Sequence, residues 1–167
     1  LKILSTNRLI LRKILLKDAP FMLKLINSRD WIDYIGDRNI KTISKAKVYI
    51  KDYLQKSYSD TNYGFYVIEI KESKKSIGIA GFVKRNDLNY PDVGYALIPE
   101  FYGQGFAYEC VLELLKYGKL NLNFIILSAI TEERNFSSIK LLQKLNFTRK
   151  GNKMVNEEEL AYFEIKL

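Results

Sequence analysis

Asp92 to Glu109 reads DVGYALIPEFYGQGFAYE: an apolar run from Val93 to Ile98, then Pro99, a Gly103-Gln104-Gly105 turn, and residues able to start a helix. A strand that turns tightly into a helix leaves backbone N–H groups unpaired at the helix start, and the helix dipole adds roughly half a positive charge there. Such a place holds phosphate. A lone Gly-x-Gly equally serves as a bare strand-to-helix connection, because glycine tolerates the tight backbone. A dinucleotide-binding turn wants a third glycine at position 108, where Tyr108 stands, and repeated βαβ units around it. A nucleoside-triphosphate loop wants Lys and Ser or Thr after its last glycine, where Phe106-Ala107 stand. Both are excluded, and the turn's ligand has to come from its context.

Working outward, Arg8 to Ile14 reads as a first strand. Asp18 sits where a helix cap belongs, with Pro20 in the first turn and Met22, Leu25 and Ile26 as an apolar stripe ending near Ser28. Arg29 to Thr42 carries Trp31, Tyr34 and Gly36 among Asp30, Asp33 and Asp37 without clear periodicity, and reads as a loop or broken helix. Ser44 is placed to cap a second helix in which Ala46, Tyr49, Ile50, Tyr53 and Leu54 fall on one face. Gly64 to Ile70 and Ser76 to Val83 form a hairpin around the polar Lys71–Lys75 turn. After the glycine turn, Ala107, Cys110, Val111, Leu114, Leu115 and Gly118 repeat at helical spacing to near Lys119. Phe124 to Ile130 reads as a strand buried on both faces, Asn135 to Leu145 as a helix, and Phe147 to Val155 and Leu160 to Leu167 as closing strands around the acidic turn Asn156–Glu159. The order is β-α-α-β-β-β-α-β-α-β-β.

With 167 residues, one domain over 1–167 is expected, without repeats or linkers. No apolar run approaches the roughly 18 residues of a membrane span, no leader pattern is present, and the single Cys110 has no partner for an internal disulfide, so a cytoplasmic setting is expected. The net charge of +8 favours anionic partners. Its lysines are scattered, and no finger, RNP or basic-zipper pattern accompanies them, so nucleic acid ranks last. Histidine is absent, which removes Ser-His, Cys-His and His-metal chemistry, and no metal is expected.

The order of elements, the segment Gly94 to Glu109, and the later Asn135-Phe136-Ser137-Ser138-Ile139-Lys140-Leu141-Leu142-Gln143-Lys144-Leu145-Asn146-Phe147 together resemble the GNAT N-acetyltransferases, and among them the branch that acetylates ribosomal-protein N-termini. The resemblance runs from Asn7-Arg8-Leu9 to the last strand. It implies an α/β (α+β) fold: a mixed central sheet of about seven strands with helices on both faces. It also implies acetyl-CoA as acyl donor and a primary amine as acceptor, either a protein α-amino terminus or a small molecule. By that resemblance Tyr102, Gly103, Gln104, Gly105, Phe106 and Ala107 cradle the pyrophosphate through backbone amides, while Tyr95, Ala96, Leu97 and Ile98 pair with the pantetheine arm as an added strand would. Gly105 and Ala107 match the family's small positions; Tyr102 stands where Arg or Gln is frequent.

Transfer of an acetyl group from a thioester to an amine needs a neutral amine, stabilisation of the oxygen that gains charge, and a proton for the departing thiolate. The amine is the nucleophile, so direct attack in a ternary complex requires mainly positioning and aimed donors. By resemblance Asn135 orders the helix start and contacts the cofactor arm. Many relatives carry a tyrosine acid where Leu142 stands, which closes that route, and the preferred branch has a serine matching Ser138. Glu157, with Glu158 and Glu159, lies where relatives place a carboxylate near the amine; Glu69 and Tyr66 are further candidates for a base. Glu109 reads as a cap of its own helix and Cys110 as core. By the same resemblance acceptor selection is expected from Trp31, Tyr34 and Asp33, since aromatics beside carboxylates suit a cationic amine, while Trp31 equally suits a core anchor. A catalytically silent CoA-binding module on the same fold is the alternative, and self-association into a homodimer stays open.

Overall fold

The computed structural model describes residues 1–167. Eight strands, β1 (Lys2–Ser5), β2 (Leu9–Lys13), β3 (Phe65–Ile70), β4 (Ser76–Val83), β5 (Asp92–Leu97), β6 (Ile126–Thr131), β7 (Thr148–Val155) and β8 (Glu158–Lys166), form one sheet. Their spatial order is β1-β2-β3-β4-β5-β6-β8-β7. Every neighbouring pair is antiparallel except β5–β6, which is parallel and meets at a single register pair, Asp92 with Ser128. Beyond that pair the two strands part. The helices are α1 (Ala19–Ile26), α2 (Arg29–Tyr34), α3 (Ile43–Tyr49), α4 (Lys56–Thr61), α5 (Phe106–Asn121) and α6 (Phe136–Lys144), with α3 joined to α4 through a π-helical stretch, Ile50–Gln55.

Alternation along the central strands explains why helices cover both faces. Tyr66 and Ile68 of β3, Ala80 and Phe82 of β4, and Val93 and Leu97 of β5 join Cys110, Val111, Leu114 and Leu115 of α5 and Leu142 of α6 in the larger cluster. Val67, Ile79 and Ile98 turn to the other face and meet Met22, Leu25, Trp31, Ala46, Ile50 and Leu54. Side chains of successive strand residues point to opposite faces, so strands sandwiched between two helical layers must be apolar throughout. β4 obeys this: its six residues Ile77 to Phe82 are all buried. Gly81 permits the tightest approach within it, because a Cβ there would lie 2.0 Å from the Gly64 carbonyl oxygen and 2.8 Å from the Phe65 Cα.

Several sequence expectations shift. The sheet has eight strands instead of about seven, because the short Lys2–Ser5 segment adds an edge strand to β2. Six residues of the unpatterned Arg29–Thr42 segment form α2 around buried Trp31. The cap of the second helix is Thr42, whose side chain accepts from the Lys45 N–H, and not Ser44. Tyr53, expected on the inner face, is 68% exposed while Ala46, Ile50 and Leu54 are buried; the wider π winding favours a spacing of four over the usual alternation of three and four. The β7–β8 turn contracts to Asn156-Glu157, both with positive φ (49° and 67°), as a two-residue hairpin turn demands. β7 itself is an edge strand, with Thr148 to Asn152 exposed, including Arg149 and Lys150.

Asp18 does not cap α1 with its side chain. Its carboxylate instead takes a two-pronged pair from Arg12 at 2.9 Å per contact and the Leu15 N–H at 2.8 Å, while Arg12 Nε reaches Glu69 at 3.0 Å. The network ties β2, β3 and the start of α1 together. Burial disfavours the Asp18 charge, yet Arg12 and the Leu15 N–H outweigh it and hold its carboxyl below the usual range.

Two tests follow from this packing. Gly81→Ala should cost about 3 kcal/mol in urea unfolding, because backbone and not a flexible side chain occupies the space. Asp18→Asn should cost about 3 kcal/mol at neutral pH by leaving Arg12 half-paired. Because the folded carboxyl titrates below its unfolded value, that contribution is complete above the ordinary range and disappears as pH falls through the folded value. The gap between wild type and variant should therefore narrow only as pH falls below the ordinary carboxylate range.

Candidate active site

Where β5 and β6 part, the sheet opens into a cavity of about 790 Å³ that passes from one helical layer to the other. That volume lies within the range of small-molecule sites. Its floor is the point of separation: Asp92, the β5 residue paired with Ser128, lines the cavity. The hydroxyl of Ser128 donates to the carbonyls of Tyr90 and Pro91 at 3.2 Å each, pinning the chain that leads into β5.

One wall is β5. The Ile98 N–H donates to Ile77 of the preceding strand β4 at 2.8 Å. Backbone groups alternate between the two edges of a strand, so Ala96 also faces β4, whereas the N–H groups of Tyr95 and Leu97 face the gap. Tyr95, Ala96 and Leu97 line the cavity; Ile98 does not, being buried with the α1 and α3 side chains.

The glycine turn forms the next wall. Gly103 and Gly105 have φ of +71° and +77°, values that an L side chain rarely adopts, and Gly105 sits at the N-terminus of α5. Tyr102, Gly103, Gly105, Phe106 and Ala107 line the cavity. Gln104 points away: its Nε2 donates to the Glu100 carbonyl at 3.1 Å, and its own carbonyl accepts from Arg8 Nη1 at 3.0 Å. Facing the turn, α6 contributes Lys140 and Lys144, the latter 4.3 Å from the Tyr108 ring centroid. Unpaired helix-start amides and two ammonium groups therefore border the same volume, an arrangement fitted to a polyanion.

Asn135 and Ser138 also line it. The Asn135 side chain caps α6 by accepting from the Ser138 N–H at 3.3 Å, and Ser138 lies near the Tyr95 phenol. Burial raises the Tyr95 phenol above its ordinary range, against the opposing effect of Ser138. Leu142, at the position of the missing tyrosine, is buried core.

On the α1–α3 side the cavity is lined by Asp30, Trp31, Tyr34, Arg38 and Tyr49. Asp33 is not among them: its carboxylate pairs with Arg29 at 3.4 Å on the exposed side of α2, and its carbonyl accepts from Arg134 Nη2 at 2.9 Å. Asp30, one helical turn earlier, takes the inward position and faces the Tyr102 phenol, which burial and this carboxylate both push upward. Trp31 is 6% exposed with its Nε1 unpartnered.

Glu157, at the tip of the β7–β8 turn, does not line the cavity, and neither do Glu158 and Glu159. Glu69 is held by Arg12, and Tyr66 is buried, stacked on Tyr58. The acid that the sequence reading passed over is Asp92. It is 1% exposed, with Oδ2 held by Arg85 at 2.9 Å and Oδ1 unpartnered. Burial raises its carboxyl to about 6, with Arg85 and the nearby Ile130 N–H only partly offsetting the cost. An Asp opening a strand ordinarily reads as a solvated end, and nothing local to it signals its enclosure. Cys110, by contrast, is buried in the larger core cluster as its helical stripe implied.

Comparison with known proteins agrees with this geometry. Residues 8–148 match the family model described as Acetyltransferase (GNAT) domain. The N-acetyltransferase p20 of Bacillus licheniformis is 33% identical over 149 residues, covering 89% of this chain and 83% of that protein. The ribosomal-protein-S5-alanine acetyltransferase of Vibrio fischeri superimposes with a TM-score of 0.81 at 19% identity, over 99% of this chain and 96% of that one. RimL, a ribosomal L7/L12 α-N-protein acetyltransferase solved with coenzyme A, does so with a TM-score of 0.81 at 15% identity, over 100% and 98%. The family model over most of the chain and relatives at 30% identity or more make this chain a member of the GNAT acetyltransferase family and an N-acetyltransferase.

Proposed function

We propose that the protein transfers an acetyl group from acetyl-CoA to a primary amine, an α-amino terminus or a small amine, by direct attack while both substrates occupy the cavity. The observation that carries this reading is the continuity of that cavity. It reaches from the Gly103–Ala107 amides and Lys140 and Lys144 on one helical layer to Asp30, Trp31 and Tyr34 on the other. One volume thus offers a polyanion cradle and an acceptor side, with the β5 edge between them.

In this reading the amides of Gly105, Phe106 and Ala107 hold the diphosphate, and the free N–H groups of Tyr95 and Leu97 hold the pantetheine arm in line with the strand. RimL, which shares the fold, was solved with coenzyme A, and this supports the assignment. The amine nitrogen attacks the thioester carbonyl carbon; the carbon–sulfur bond then breaks, and the electron pair leaves on sulfur. Ser138 gives the thiolate its proton and is restored, through solvent, by the second proton that the attacking nitrogen sheds. Asp92 receives the proton lost by the acceptor ammonium, since its unpartnered Oδ1 is the free oxygen of a buried acid in the cavity wall. Asp30 and Tyr34 draw in the cationic amine beforehand, which moves this role from Asp33 to the neighbouring turn position. Positioning supplies much of the remaining acceleration.

Acetyl transfer to a mixed panel of peptides, amino acids, polyamines and aminoglycosides tests the reading, with coenzyme A binding followed by calorimetry. Ser138→Ala should retain CoA binding and the melting temperature while kcat falls roughly a hundredfold, in the range of a lost general acid; a wild-type chain with no affinity for CoA at millimolar concentration would refute it. The kcat/KM profile should rise with pH through an apparent value near 6, as the Asp92 carboxyl ionises. In Asp92→Asn that acid limb should vanish with the rate depressed across the range.

A further inference from the structure

We propose that Arg8 is a positioning residue for the donor site: it sets the orientation of the glycine turn so that its amides, and not its carbonyls, meet the diphosphate. The proposal rests on the acetyl-CoA reading above and extends it to a residue outside the cavity.

Arg8 lies at the β1–β2 turn, about a hundred residues from its partners in sequence. Its Nε donates to Glu109 Oε2 at 2.6 Å, its backbone N–H to Glu109 Oε1 at 2.8 Å, and its Nη1 to the Gln104 carbonyl at 3.0 Å. The guanidinium lies over the Phe106 ring, 4.3 Å from the centroid, and Nη2 sits 3.5 Å from where a Cβ on Gly105 would be. One planar group therefore touches Gln104, Phe106 and Glu109 and lies against Gly105.

Two consequences bear on anion binding. A trans peptide plane points its C=O and the following N–H in opposite directions. Holding the Gln104 carbonyl outward against Arg8 turns the Gly105 N–H the other way, away from Arg8. Without that hold, the backbone at Gly103 to Gly105, left-handed at both glycines, is free to rotate the plane and present an oxygen to the phosphate. The second consequence concerns Glu109, a carboxylate in the first turn of α5, beside the proposed diphosphate. Its oxygens are taken by Arg8 and by the Thr6 hydroxyl, so its charge is neutralised at the place where it would repel the ligand. Burial works against the Glu109 charge, but Thr6 and Arg8 keep its carboxyl below the usual range, so the pair stays charged at neutral pH. Instead of serving as an ordinary cap of its own helix, as the sequence suggested, Glu109 anchors Arg8.

Steady-state kinetics with two donors test the proposal: acetyl-CoA, and S-acetylpantetheine, which lacks the diphosphate. Arg8→Ala should raise KM for acetyl-CoA about tenfold, as for the loss of a charge-assisted hydrogen bond, with kcat at saturating donor, acceptor KM and kcat/KM for S-acetylpantetheine close to wild type. Arg8→Lys keeps the charge but cannot bridge Glu109 and Gln104 together, so it should recover only part of the affinity. Unchanged KM for acetyl-CoA in Arg8→Ala would overturn the proposal. So would an equal loss with both donors, which marks general damage, and the melting temperature of Arg8→Lys separates that outcome from a local one. Failure of the wild type to use either donor would refute the acetyl-CoA reading itself.

Discussion

The molecule depends on one interrupted contact, the parallel pairing of β5 with β6 that ends after Asp92 and Ser128. A parallel pair continued over its full length would bury the Tyr95 and Leu97 amides in a ladder and leave no passage between the helical layers. Interruption exposes hydrogen-bonding edges in the middle of a sheet, which is costly unless something else pairs with them. The chain compensates at the root of the opening: Ser128 is tied to Tyr90 and Pro91, and Asp92 is paired with Arg85. The separation is therefore a fixed property of the fold, and in the proposed reading the amide-bearing arm of the donor pairs with the edge it exposes.

The regions that were legible in the sequence are those whose structure is set locally. Gly103 and Gly105 announced their turn because no other residue adopts that backbone freely, and the stripe Cys110, Val111, Leu114, Leu115 named the buried face of α5. Resemblance carried the step from an anion-binding turn to an acyl-CoA site, since residues 92–109 alone left the ligand open. α2 was obscure because six residues make fewer than two turns, too few to show a period, and its choice of Asp30 over Asp33 depends on how the helix is rotated by buried Trp31. Asp92 was invisible for a related reason. Its enclosure comes from Arg85 and from β6, dozens of residues downstream, and strand alternation does not report that a polar first residue is covered. The same holds for Arg8, whose partners at Gln104 and Glu109 lie far along the chain.

The site divides its labour between rigid and adaptable parts. In the proposed reading the donor-binding amides sit on β5 and on the first turn of a 16-residue helix, both fixed by the larger core. The acceptor side rests on the short α2 and on Arg134, which reaches across from the β6–α6 connection to the Asp33 carbonyl and lies 5.5 Å from the Tyr34 ring centroid. Under the proposed assignment, a single scaffold keeps one donor while a few residues of α2 change the acceptor, which fits a family whose members share a fold at low sequence identity.

The outermost strand, β7, carries its own implication. Its exposed edge bears Arg149, Lys150 and Lys153, and the sheet has no further strand beyond it. Arg149 is paired with Glu133, while Lys150 and Lys153 leave charge beside the row of backbone donors and acceptors, and charged side chains on an edge strand oppose the addition of a further strand. The sheet thus ends in an electrostatic fence that disfavours continuous strand pairing with another chain along this edge.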